Sequence, residues 1–73
     1  MSLRVEIERA VFDLGLQPLI NTLIDKAKNS DSLTECYDEF LNLKEDGRIS
    51  YGKGGSHIWV SQRNKRILLI TEK

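Results

Sequence analysis

The residues best suited to chemistry lie near the end of this 73-residue chain. The only histidine, His57, and the only tryptophan, Trp59, stand two positions apart in a β-rich run. Residues two apart in a strand point to the same side of a sheet. One surface is therefore expected to present an imidazole, which can act as a general acid or base, and an indole, which can stack on a nucleobase or fill an apolar interface.

Spacing disfavours several other kinds of site. Ser56 directly precedes His57, and strand neighbours point to opposite faces, so the two cannot form a nucleophile and its base. Zinc needs three or four ligands, and Cys36 belongs to the apolar stripe of a helix, so we expect no metal site and no cofactor. The loop from Gly52 to Gly55 lacks the order of a nucleotide-binding P-loop. The preferred interpretation is that its glycines are hairpin turn residues. A contact of this loop with a phosphate, to which Lys53 would add charge, is the second interpretation.

The elements that position these side chains are predicted to be three strands, at about 48–51, 56–61 and 65–70, forming an antiparallel meander. If Arg63 and Asn64 are the central residues of the second turn, Trp59 faces Leu68 and His57 faces Ile70. If Gly52 to Gly55 form the first loop, Arg48 faces Trp59.

Alternation along these strands predicts two faces. A core face would carry Ile49, Tyr51, Ile58, Val60, Ile67 and Leu69. The opposite face, the predicted functional surface, would carry Arg48, Ser50, His57, Trp59, Ser61, Arg66, Leu68 and Ile70.

Three helices are predicted before the sheet, at about 3–14, 18–29 and 33–46. Apolar residues recur at helical spacing in each, and a capping box of Ser32 and Glu35 marks the start of the third. A short strand over Arg4 to Glu8 competes with the first helix, because Val5 and Ile7 alternate with charged residues. The predicted fold class is α+β in a single domain: three helices followed by a three-stranded antiparallel meander, with winged-helix-like topology.

The formal net charge of zero conceals two poles. Residues 1–46 hold five basic and ten acidic side chains, whereas residues 47–73 hold six basic and one acidic. A basic sheet on acidic helices could attract a polyanion or dock onto the helices of another copy. No apolar run reaches membrane-spanning length, so no membrane partner and a cytoplasmic location are expected. The lone Cys36 agrees with a reducing compartment.

From Leu43 onward the chain resembles HicA-type toxins, small RNA-cleaving proteins with a double-stranded-RNA-binding-like fold. The likeness comes from a helix ending at Gly47, the Gly55-Ser56-His57 motif, an aromatic-containing strand, and Lys65-Arg66 before an apolar strand. The histidine of that motif is catalytic in the family, so the resemblance implies a catalytic role for His57.

The same segment also resembles the wing of winged-helix domains. A helix ends at Gly47, a strand begins at Ile49, and Trp59 follows a glycine-containing loop. The third helix would expose five carboxylates, which phosphate repels, so binding through a wing or sheet is expected rather than major-groove reading.

Three functions follow as hypotheses. The first is a small RNA- or DNA-binding protein, whose binding residues are Arg48, Lys53, His57, Trp59, Arg63, Lys65 and Arg66. The second is a non-enzymatic protein-interaction or homo-oligomerisation module, such as a homodimer, with an interface of Trp59, Leu68 and Ile70. The third is an RNA-cleaving toxin like HicA, with His57 as its catalytic residue.

Overall fold

A computed structural model of the protein describes residues 3–9, 15–43 and 47–72. The described elements are β1 (Leu3–Ile7), α1 (Gln17–Lys28), α2 (Leu33–Leu41), β2 (Ile49–Lys53), β3 (His57–Gln62) and β4 (Lys65–Glu72). The strands form one antiparallel sheet in the order β1-β4-β3-β2.

The predicted fold class is wrong in its element count and topology. The described residues form two helices and a four-stranded sheet, in place of three helices and a three-stranded, winged-helix-like meander. Leu3–Ile7 is a strand because the free edge of β4 supplies its backbone partners, with Val5 opposite Ile70. The competing alternation pattern was therefore the better guide here than helical spacing. Glu8 and Arg9, which follow β1, are not helical, and residues 10–14 of that predicted helix lie outside the described residues.

The two observed helices start where their sequences indicate. Pro18 lies in the first turn of α1, where its missing N–H costs no hydrogen bond. At α2 the Ser32 hydroxyl accepts from the Glu35 N–H at 3.1 Å, and the Glu35 carboxylate accepts from the Asp31 N–H at 3.2 Å. The predicted capping box is thus confirmed on its Ser32 side, while the carboxylate reaches one residue further back than expected. α2 ends at Leu41, and residues 44–46 lie outside the described part of the chain.

The hydrophobic core lies between the two helices and one face of the sheet. It contains Leu23 of α1 and Phe40 of α2, both fully buried. An ion pair between Lys26 and Glu39, 3.3 Å from Nζ to Oε2, links the two helices at their surface. The sheet contributes fully buried side chains from its two central strands, namely Ile58, Val60, Ile67, Leu68 and Ile70.

The turn between β3 and β4 is as predicted, but the register beyond it differs. Arg63 and Asn64 have φ of 52° and 64°, as the two central residues of a type I′ hairpin turn do. Ser61 pairs with Arg66, and the preceding residue, Val60, pairs with Leu68. Ile67 of β4 therefore has no partner on β3 and forms a β-bulge.

This bulge overturns the predicted pairings of the following residues. Trp59 faces Leu69 and His57 faces Thr71, so Leu68 and Ile70 turn to the core and Leu69 turns away from it. Their predicted faces are wrong for this reason.

The first hairpin also differs from its prediction. β2 continues through Gly52 to Lys53, so Gly52, rather than Arg48, lies opposite Trp59. Tyr51 pairs with Val60 instead of the predicted Ser56, a register shift of four residues. Because this shift is even, Tyr51 stays on the core face and Ser50 on the other, as predicted.

Candidate binding surface on the open sheet face

One face of the sheet has no described helix packed on it, and we call this the open face. Cross-strand partners share a face, so the register defines its members. They are Arg4, Glu6, Ser50, Gly52, His57, Trp59, Ser61, Arg66, Leu69 and Thr71. On β3 the side chains of the open face are only half-buried, whereas those of the core face are buried.

Trp59 lies near the middle of the open face, between Gly52 of β2 and Leu69 of β4. A Cβ atom added to Gly52 would be 2.1 Å from Cε2 of the indole. The indole therefore rests directly on the backbone of Gly52, in space that any other residue would fill. A glycine inside a strand commonly marks such a close approach, and the flat ring also shields a strand position that has no side chain of its own.

His57 rests on the backbone in the same way, one row further along the sheet. A Cβ atom on Gly54 would be 3.0 Å from Cε1 of its imidazole, and the Gly54 N–H donates to the His57 carbonyl at 2.8 Å. The rings of His57 and Trp59 have centroids 5.2 Å apart and are tilted by 37°. The predicted sharing of one surface by these two rings is confirmed.

The neighbours of His57 are not the ones that the sequence suggested. Its cross-strand partner is Thr71, which in turn pairs with Arg4 of β1. Arg66 lies two rows away, opposite Ser61. Arg4 was missed because the N-terminal segment was predicted to be helical, although the alternation around Val5 was a usable signal.

Arg66 is on the open face, as predicted, but its charge is already paired. Its guanidinium forms an ion pair with the Glu8 carboxylate, and Nη2 donates to Oε2 at 3.1 Å. Both side chains are partly exposed to solvent. The pair neutralises one of the predicted phosphate contacts and joins the start of β4 to the residue that follows β1.

The other predicted basic residues divide into two groups. Arg48 and Arg63 line a pocket of about 410 Å³ at the end of the sheet where β2 begins and β3 ends. Lys53 and Lys65 are exposed, but they pair with Ile58 and Gln62, whose side chains belong to the core face. The structure therefore brings His57, Trp59 and Arg66 together on the open face and places Arg48 and Arg63 at one end of it. It does not bring the two lysines onto that face.

The predicted interface of Trp59, Leu68 and Ile70 does not exist as one surface. Leu68 is 1% exposed and Ile70 0%, both on the helix side of the sheet, because of the bulge at Ile67. Leu69 replaces them beside Trp59. The remaining apolar area of the open face is thus small.

Cys36 is a buried core residue, as expected. Burial raises the pKa of its thiol to about 11, a hydrogen bond with Ser30 partly opposes this, and the charges of Glu35 and Glu39 add to it. The thiolate needed for nucleophilic or metal chemistry is therefore disfavoured near neutral pH.

Within residues 3–9, 15–43 and 47–72, no three His, Cys, Asp or Glu side chains lie close enough together to hold a metal ion. Neither described helix combines the length and the apolar character that crossing a bilayer requires.

Comparisons of this chain with protein-family models, with curated proteins and with solved structures found no match.

Proposed function

We propose that the open face binds single-stranded nucleic acid, with bases stacked on Trp59 and His57. The observation that carries this proposal is the arrangement of the two rings: centroids 5.2 Å apart, each lying on a glycine backbone, on the side of the sheet away from both helices. A base stacked on an aromatic side chain gains about 1 to 3 kcal/mol and requires no particular sequence. Because each ring already packs on a glycine backbone, little side-chain entropy is lost when a base stacks on its exposed side.

The charges of the two layers favour a polyanion on the sheet side. The described residues from Gly47 onward carry five basic side chains and one acidic one, Glu72. The described residues of the helical layer, 15–43, carry two basic and five acidic ones. A strand of phosphates would be attracted by the basic side chains of the sheet layer and repelled by the helices, so charge favours the sheet over the helical surface. On the open face itself Glu6 offsets Arg4 and Glu8 pairs with Arg66, so the choice of this face depends on the two rings.

A single strand suits this surface better than a duplex does. Stacking on Trp59 needs the flat face of a base, which a duplex hides between neighbouring base pairs. Reading a groove would require an element that can enter it, and the acidic α2 is poorly suited to approach phosphates.

A second copy of this chain is a less suitable occupant of the open face. The apolar contribution would come mainly from Trp59 and Leu69, because Leu68 and Ile70 are buried.

The proposal is tested by fluorescence anisotropy of labelled single-stranded RNA and DNA of about ten nucleotides, within the usual site size of such proteins. Affinity should fall as salt rises, and Trp59→Ala should weaken it by about tenfold or more, while Trp59→Phe should retain most of it. No binding to either strand at low salt, or an affinity that does not change with salt, contradicts the proposal.

Two further measurements on the same samples separate the other hypotheses. If strands do not bind but sedimentation shows self-association that Trp59→Ala removes, the open face is a protein interface. If bound RNA is cleaved and His57→Ala abolishes cleavage while binding persists, the surface is that of an RNA-cleaving enzyme, as the likeness to HicA-type toxins implies.

A further inference from the structure

The pocket at the end of the open face combines groups that bind phosphate. Its lining residues include Arg48 and Arg63, which carry guanidinium groups, and Ser50 and Ser61, which carry hydroxyls. The two serines are direct cross-strand partners on β2 and β3, so they are held side by side by the sheet itself. Guanidinium groups and hydroxyls are common donors to phosphate oxygens.

The position of this pocket relative to Trp59 is set by the geometry of β3. Ser61 lies two residues after Trp59 on the same face, a separation of about 7 Å along the strand. This distance is comparable with that between a base and the phosphate of its own or the next nucleotide.

We propose that this pocket is a phosphate subsite, which holds one backbone phosphate of a strand whose adjacent base lies on Trp59. The inference rests on the proposed function and makes it more specific, because it fixes where the strand backbone crosses the sheet. Both arginines already make an interaction in the structure, so the phosphate shares or displaces that contact. Hydrogen bonds from the two serine hydroxyls would bind the phosphate at one defined place, whatever the net charge of the protein.

The test removes the hydroxyls without changing any charge. The double variant Ser50→Ala/Ser61→Ala should bind single-stranded oligonucleotide about tenfold more weakly than the wild type, because hydrogen bonds to a charged group are lost. Its salt dependence should stay the same, since no charged group is lost. The control is Thr34→Ala, which removes an exposed hydroxyl from α2 and should leave affinity unchanged.

A second measurement uses the wild-type chain alone and decides the question if the double variant does not fold. Backbone amide signals of Ser50 and Ser61 are followed by NMR while oligonucleotide is added. They should shift with an all-phosphate strand, and one uncharged methylphosphonate linkage at a particular position should reduce that shift selectively.

The outcomes separate the subsite from the proposed function. Strand binding that depends on Trp59 but is unaffected in the serine variant, or that leaves both serine amides unshifted, overturns the subsite alone. Absence of any binding by the wild-type chain overturns the proposed function and the subsite together.

Discussion

Trp59 shows which properties of a single residue can be read from sequence. Its sharing of a face with His57 follows from their spacing of two within one strand, which needs no knowledge of the partner strands. Its contact with Gly52 could not be predicted, because it depends on the register between β2 and β3. The sequence suggested that this glycine was part of a turn, whereas its role is to leave space for the indole.

Cys36 gives a prediction about pH at the level of one residue. Its pKa is about 11 in the folded protein against an ordinary value of 9.0. The thiol therefore stabilises the folded state fully below pH 9, and this contribution is lost as pH rises from 9 to 11. The free energy of unfolding of the wild type, relative to that of Cys36→Ala, should fall by on the order of 2 kcal/mol over this range.

Urea unfolding of both proteins at a series of pH values measures that difference directly. The Cys36→Ala variant controls for lysine and tyrosine side chains that titrate over the same range. Parallel stability profiles for the two proteins would show that the thiol is not buried as described.

Gln62 gives a second prediction at this scale. Its side chain is 3% exposed on the core face of β3, and neither amide atom has a hydrogen-bond partner among the residues that the structure describes. A buried amide without a partner costs on the order of 1 to 3 kcal/mol. Gln62→Leu should therefore raise the free energy of unfolding, by about 1 kcal/mol after allowance for the change in shape. Lower stability in a urea titration would mean that the amide is satisfied in solution.

At the scale of elements, the sequence predicts α1 and α2 directly, whereas for β1 it supports two competing interpretations, a helix and a strand. The helices have local start signals, Pro18 and the capping box of Ser32 and Glu35, that work without the rest of the fold. β1 exists because the edge of β4 is available to it, a contact between residues more than 60 positions apart. Tertiary pairing of this kind overrides a weak helical pattern.

β2 provides a stability prediction with a matched control. Alanine normally suits a strand better than glycine, but at Gly52 its Cβ would overlap the Trp59 indole. Gly52→Ala should therefore destabilise the protein by about 1 to 3 kcal/mol and change the fluorescence of Trp59. Gly55→Ala adds a Cβ with no atom within 4 Å and should have little effect on either. Equal melting temperatures and spectra for the two variants would contradict the packing of the indole on β2.

The junction of β1 and β4 provides a prediction about affinity. Glu8→Gln removes the partner of Arg66 and frees a guanidinium on the open face. Affinity for single-stranded nucleic acid should rise on the order of tenfold, the value of about one charge-assisted hydrogen bond.

The control, Asp38→Asn, makes the same change in net charge on an exposed residue of α2. It should raise affinity much less, because α2 lies on the other side of the sheet. Equal effects of the two substitutions in an anisotropy titration would indicate that only net charge matters.

For the whole molecule, the separation of charge was visible in the sequence because it follows the order of the chain. The helices precede most of the sheet, so an acidic first part and a basic last part become two layers of the fold. The sequence could not show that β1 returns to the sheet, bringing Arg4 and Glu6 to the open face. Nor could it show the bulge at Ile67, which exchanges Leu68 and Ile70 for Leu69 on that face.

The central claim is that Trp59 is a stacking platform on the open face, and its own fluorescence tests this most directly, because it is the only tryptophan. Single-stranded oligonucleotide is added to the wild-type protein at low salt, and the emission of Trp59 is recorded. The account predicts saturable quenching, because a stacked base changes the emission of the indole. Added salt should reverse the quenching, because it weakens the phosphate contacts that hold the strand. Emission that stays unchanged while anisotropy shows the strand to be bound would contradict it.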